Sequence, residues 1–491
     1  MKNIFIKTAS IFLLVSSIFS CTSYVEDMNV DPDLLNDVDA ANMFQGVVLA
    51  NQFFQTSSSV RSAMLWLNQA NGEDRQYVTL NNWNSATASG FDNNWDLAYV
   101  NTITQAQILE AKATTAANFR LKGAAQVIEA YCIGTVASLW GDVPYSDFDY
   151  RGGKRAPKFD PQADVYKSAQ LLLDDAIANL SKTTGEVIPS KADIWYGGKT
   201  DKWIKLAYSI KAKFYLQTKN YTLAKANALL GINNAGDDFK AKFGSSYLQS
   251  FNPFYSFLVY DRPDYMSGEG YAAQILDPST TLYRGNAKTD ESARYAFTYN
   301  ADTFPYSLNV YGPDYGGTSG KFGNDTAIPL VTYGEMLLII AEVDARSGFS
   351  TGLTSYNAYR ALLNTGYSIG VNNDGYDVDG DPDTDNAETF LYAPYTAADF
   401  AAGGMENNGT TALTDQNALI REIYQERYIY FLGTFESFTD LGRSNNAAEI
   451  QLKSGFTGVP QRFLYPQKEI NSNPNTPSPI PTIVTKTPVN N

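Results

Sequence analysis

The feature that most constrains this chain is a helical period in its apolar residues, repeated at intervals from Ala40 onward. Val165, Ala169, Leu172, Ala176 and Leu180 share one face of a 3.6-residue repeat, and Trp203, Ala207, Ile210 and Phe214 repeat the pattern. The spacing predicts further helices over 43–54, 62–69, 95–113, 116–139, 221–230, 353–363 and 415–431. Asp160 before Pro161 reads as a helix start, with an acceptor side chain at the N-cap and proline in the first turn. Thr332 and Glu335 have the spacing of a capping box that opens a helix over 336–345. Short turns join these segments, so antiparallel pairs are expected. The fold class is mainly α with minor β, packed in the manner of tetratricopeptide repeats, although no clean consensus recurs. Two stretches, 233–329 and 367–408, are rich in Gly, Tyr and Asn and lack a period. They are expected as long irregular loop insertions, and loops of that length in a compact protein commonly carry function.

Only two cysteines occur in 491 residues, so no disulfide framework exists and the fold has to rest on a large apolar core. Cys132 lies in an apolar helical stretch and reads as a small core residue. Cys21 reads differently. Lys2 and Lys7 form a positive start, residues 11–19 are apolar, and Ile18, Phe19 and Ser20 precede the cysteine. A lipoprotein signal peptidase cleaves after such a small residue, and the cysteine thiol then receives diacylglycerol. Residues 1–20 are expected as a lipoprotein signal peptide, too short to span a bilayer, and 21–39 as a polar tether. Membrane attachment would follow from the lipid, at about 0.8 kcal/mol per buried methylene. An ordinary secretory signal that contains a cysteine is the alternative.

Composition narrows the chemistry. Histidine is absent, which removes Ser-His-Asp and Cys-His catalysis and most zinc, copper and non-haem iron sites. The net charge is −15 and no basic patch is visible, so nucleic acid is not an expected partner. Paired carboxylates of the glycosidase kind are the acid–base chemistry left. No glycosidase signature is present; the expectation is a non-enzyme with no catalytic residue. Aromatics make up 13% of the chain while charged residues are held to 18%, a balance suited to neutral ligands. Sugar rings stack on aromatic faces, and their hydroxyls pair with amides, carboxylates and guanidinium groups. Three irregular stretches offer that chemistry: Tyr77, Asn81 and Trp83; Tyr260, Arg262 and Tyr265; and Tyr311, Asp314 and Tyr315. Core packing is the competing role for each aromatic, and the stronger one for Trp95, Trp140 and Trp203, which sit in or beside helices. Asp377, Asp379, Asp381, Asp383, Asp385 and Glu388 fall at positions 1, 3, 5, 7, 9 and 12 of a calcium-loop spacing. Pro382 stands where that loop wants glycine, so a structural calcium competes with a solvated acidic loop. No other cofactor is expected.

Four further segments lie in a set order. Asn29, Val30, Asp31 and Pro32 follow Cys21. Trp140, Gly141, Asp142, Val143, Pro144 and Tyr145 follow a helix. Ile423 to Arg427 lead into Leu432, Gly433 and the run from Glu436 to Arg443. Arg462, Tyr465, Pro466, Glu469 and Asn473 to Asn475 close the set. Together these resemble the SusD/RagB family of Bacteroidetes outer-membrane nutrient-binding lipoproteins, most of all its SusD-like type 2 branch. The resemblance implies one helical domain over 40–491, on a scaffold of about four tetratricopeptide-like helix pairs, with a ligand site built by loops. It also implies an outer-membrane, surface-facing lipoprotein that acts as a lid on a SusC-like TonB-dependent barrel. Such a lid captures an oligosaccharide or, in some relatives, a peptide; a helical-repeat interaction lipoprotein without a small ligand is the remaining alternative. Phe438 stands where the family commonly has tryptophan, and Gly442 breaks its usual double arginine. The motif residues are expected to pack and cap, with Arg427 and Glu436 as internal ion-pair partners. The family's ligand residues have no signature that can be carried onto this chain.

Overall fold

Helices form where the apolar period is strongest, and polar side chains start them. The computed structural model describes residues 38–149, 156–246, 250–300, 306–310, 320–370, 389–409 and 411–491. Helix α1 (Ala40–Gln55) begins where the Asp39 carboxylate accepts from the amides of Ala41 and Asn42. Helix α2 (Ser58–Trp66) follows after a two-residue turn. Residues 92–115 form one helical run: Asp92–Asp96, a π-helical stretch over Leu97–Ile103, then α3 (Thr104–Thr115). Asn118 caps α4 (Phe119–Trp140), which packs against both α3 and α5 (Gln162–Leu180). Helices α6 (Thr200–Gln217) and α7 (Tyr221–Ala228) pair through a turn in which the Asn220 side chain caps the second member. Helices α8 (Tyr333–Ser347) and α9 (Phe349–Leu363) pair likewise, and α10 (Asp415–Tyr430) leads into α11 (Phe435–Ser444). The mainly α, helix-paired scaffold expected from the sequence is the one observed.

Two apolar clusters hold the pairs together. The larger gathers residues of α1 to α8, α10 and α11 and includes Trp66, Trp140, Trp203 and Cys132, all fully buried. The smaller joins α8, α9 and α10 through Leu338, Tyr356, Tyr359 and Ile423. Strands are short antiparallel pairs of two to four residues. Among the described residues, no helix is long and apolar enough to cross a membrane.

Three local expectations change. Asp160 does not cap α5. Its carboxylate accepts from the amides of Tyr145 and Ser146, because residues 159–160 pair as a strand with residues 143–144 and turn the side chain away from the helix. Asp142 takes over, accepting from the Gln162 amide at 2.8 Å. The capping box at Thr332 is half made: its hydroxyl accepts from the Glu335 amide, but the Glu335 carboxylate turns to the Lys213 ammonium, 3.0 Å away. The stretch 233–329 is not one loop. Within its described part the chain forms short helices such as Tyr271–Leu276 and Ser292–Thr298, and a strand Phe239–Ala241 that pairs with Ile328–Val331. Helices of six or seven residues complete barely two turns, too few for a period to register.

Candidate functional site

An open groove of about 420 Å³ lies where three remote segments meet. The first is the α1–α2 turn, with Phe53, Thr56, Ser57, Ser58 and Arg61. The second is the start of the 92–115 run, with Asn93, Asn94 and Leu97. The third is the segment 251–261, with Phe251, Pro253, Ser256, Phe257 and Asp261. Phe53 and Phe54 are neighbours on a helix, so their side chains diverge by about 100°. Phe54 is buried in the core while Phe53 stays 51% exposed beside the groove. Phe251 stacks on Tyr260, with centroids 5.9 Å apart and planes at 14°, and Tyr260 is itself 41% exposed. The Arg61 guanidinium lies 4.1 Å from the Phe257 ring centroid, and its Nε donates to the Tyr77 hydroxyl at 3.1 Å.

The polar part of the groove is unspent. Asn94 is 2% exposed, yet neither its amide oxygen nor its amide nitrogen has a partner among the described residues; the Ser57 hydroxyl is in the same state. A buried polar atom without a partner costs roughly 1–3 kcal/mol. Such groups are met by water, by an ion or by a ligand, or store strain. An amide presents a donor and an acceptor side by side, the complement of two adjacent hydroxyls. Arg61 and Asp261 add one charge of each sign, so the groove has no strong preference for a charged ligand.

None of the residues singled out by sequence lines the groove, though four lie beside it. Tyr77 stacks against Phe257 at 4.9 Å and against Tyr265 at 6.0 Å; both tyrosines are buried and brace the groove from behind. Tyr260 stands at the rim, and exposed Arg262 lies over the Tyr265 ring at 5.8 Å. The other two of the first six are placed elsewhere. Trp83 is 1% exposed, donates its indole N–H to the Thr457 carbonyl and packs on Phe456, so it presents no face to a ligand. The Asn81 side chain is engaged with both backbone groups of Gly72 and with Lys453. Tyr311, Asp314 and Tyr315 lie outside the described residues, as do Cys21 and the acidic run Asp377, Asp379, Asp381, Asp383, Asp385 and Glu388. Sequence reasoning missed Phe53, Arg61, Asn94, Phe251 and Phe257. Two signals were available: adjacent phenylalanines on one helix, and Arg61 as the lone charge among residues 40–72.

A SusD-like type 2 family model, described as "Starch-binding associating with outer membrane", matches residues 33–373. The chain belongs to the SusD-like family. Among solved structures, a SusD homologue from Bacteroides fragilis is 15% identical, with a TM-score of 0.64 over 92% of this chain and 100% of that one. A chitin-binding SusD homologue from Flavobacterium johnsoniae is 16% identical, with a TM-score of 0.63 over 92% of this chain and 99% of that one. A SusD/RagB family protein from Bacteroides thetaiotaomicron is 19% identical, with a TM-score of 0.60 over 89% of this chain and 95% of that one. At these identities the likeness is one of fold. No curated protein sequence matches the chain.

In this SusD-like protein the family motifs build corners and buried ion pairs rather than the groove. Gly141 ends α4 at φ +83°, a conformation side chains resist. Trp140 then donates to the Leu464 carbonyl and the Tyr465 hydroxyl to the Asp142 carbonyl, which ties the 140–145 and 462–466 motifs into one corner. Arg427 and Glu436 do not pair with each other. Arg427 bonds Asp440 at 2.6 Å, while Glu436 bonds Lys213 at 2.6 Å. One turn of separation in α11 sets Asp440, not Glu436, opposite the arginine. Arg443 closes the network with a two-pronged contact to Glu342 at 2.6 and 2.9 Å.

Proposed function

We propose that this SusD-like protein captures oligosaccharides in the groove between Phe53, Asn94 and Phe257 and hands them to a SusC-like TonB-dependent barrel, without chemistry of its own. The observation that carries the proposal is Asn94: a buried amide with both ends unpaired, set in one groove with exposed Phe53 and half-buried Phe251. Rings take the C–H faces of a sugar, and the amide and Ser57 take its hydroxyls. Membership of a family described as associating with the outer membrane supports the location, and a chitin-binding neighbour of the same fold supports the ligand class. Cys21 carries the lipid in this reading and faces the protein outward. No glycosidase signature is present in the sequence, which supports binding without hydrolysis.

Titration calorimetry of the purified chain against a glycan panel tests the reading. At least one oligosaccharide is expected to bind without being cleaved, and Asn94→Ala and Phe53→Ala are each expected to weaken it about tenfold, equivalent to about 1.4 kcal/mol. Unchanged affinity in both variants, with melting curves like the parent's, would move the site elsewhere. Binding confined to a peptide library would replace oligosaccharide by peptide as the cargo. The same reading gives the acidic run from Asp377 to Glu388 a structural calcium, on the spacing of its oxygens. Calcium is expected to raise the Tm and a chelator to reverse the rise; an unchanged Tm removes the ion.

A further inference from the structure

A second cavity, of about 150 Å³, lies on the other side of the segment that walls the groove. Pro253 and Phe257 face the groove, while Phe254 between them faces this cavity. Phe254 and Phe322 pack with centroids 5.0 Å apart, and Phe297 and Leu432 complete an apolar lining. Gly433 leaves the room: at φ +82° it belongs to the left-handed region, and a Cβ there would stand 3.5 Å from the Phe322 ring. The volume matches that of an engineered apolar cavity which holds one benzene ring.

The charges around the cavity are unevenly used. Asp238 is satisfied by the Tyr333 amide, the Tyr367 hydroxyl and Lys240. The Tyr430 hydroxyl bonds Thr332 and Tyr367. Lys321 is the exception. Its ammonium sits 5.9 Å from the Phe297 centroid and, among the described residues, has no carboxylate partner. Burial, with Arg294 adding to it, pulls its pKa down to about 8, so the charge is held at a cost that an anion would relieve.

We propose that this cavity binds a small aromatic carboxylate, its ring among Phe254, Phe297 and Phe322 and its carboxylate on Lys321. A sugar suits the place poorly, since the hydroxyl and carboxyl groups of Asp238, Tyr367 and Tyr430 are already bonded to one another. The site stands apart from the groove, and neither proposal depends on the other.

Benzoate and its neutral isostere benzamide are the probes, titrated into the full chain by calorimetry and ligand-observed NMR. Benzoate is expected to bind at least tenfold more tightly than benzamide. Lys321→Met and Lys321→Gln are expected to erase that difference by weakening benzoate at least tenfold while leaving benzamide unchanged. The comparison of the two probes on the unaltered chain needs no variant, so a misfolded substitution cannot shield the idea. Benzoate weaker than about 10 mM, equal affinity for both probes, or unchanged benzoate affinity in a folded Lys321 variant would each overturn it.

Discussion

Glu342 shows how this protein uses charge at the scale of a single residue. It is fully buried on α8, and burial alone would push its carboxyl up; the Arg443 guanidinium, with Arg427 and Arg346 nearby, instead holds it well below the usual carboxylate range. A carboxyl depressed in the folded state stabilises the fold above the unfolded pKa, about 4.3, and that contribution is lost as pH falls below it. Glu342→Gln leaves Arg443 buried with Asp440 as its remaining carboxylate. We expect a loss of about 3–5 kcal/mol at pH 7 and a shallower fall in Tm between about pH 5 and pH 3 than in the parent. Parallel Tm curves for parent and variant over that window would show that Glu342 does not contribute the acid sensitivity. The sequence offered Glu342 as one acidic residue among 52. Its pairing is set by three helices and has no local signature.

At the scale of elements, the corner after α4 is the clearest case of a legible motif with an illegible role. The run from Trp140 to Tyr145 was recognisable as a motif, and Asp160 with Pro161 as a helix start. The sequence could not say that Asp142, twenty residues upstream, supplies the acceptor for the first amide of α5. A capping side chain from outside the local window acts through tertiary contact, which local spacing does not encode. Asp142→Ala is expected to cost about 1 kcal/mol in urea unfolding, the usual worth of a cap; an unchanged midpoint would remove the capping role. Long helices were legible because three or more turns repeat the apolar face. The elements of 253–298 were not, being too short to repeat anything. Part of the groove was hidden for that reason: Pro253 opens a three-residue helix, Pro253–Tyr255, that runs into a π-helical stretch over Ser256–Asp261 holding Phe257, and Phe251 precedes both.

For the whole molecule, the sequence was sufficient for the helix-paired scaffold and the family, and insufficient for the site. The groove draws on residues 53–61, 93–97 and 251–261, brought together only by the packing of α1 against the 92–115 run and the return of the chain near residue 250. Aromatic residues in irregular stretches led to Tyr77 and Tyr265, which pack on the groove's Phe257, and to Tyr260, which stacks on its Phe251, but none of the three lines the groove itself. They misled at Trp83, where the ring packs inward because Thr457 and Phe456 arrive from the far end of the sequence.

The corner that joins Trp140 and Asp142 to Leu464 and Tyr465 also bears on the order of events in folding. The two sides of that corner are separated by 323 and 324 residues in sequence, and the Gln162 side chain accepts from the Val489 amide across a separation of 327. Closing a loop of that length carries a large entropy cost before any contact forms, and pairings of this range form late. Synthesis runs amino-terminus first, so α4 and α5 emerge long before residues 464–489. Until then the end of α4 lacks its clasp. The end of α4 is thus completed only by residues that lie more than 300 positions downstream.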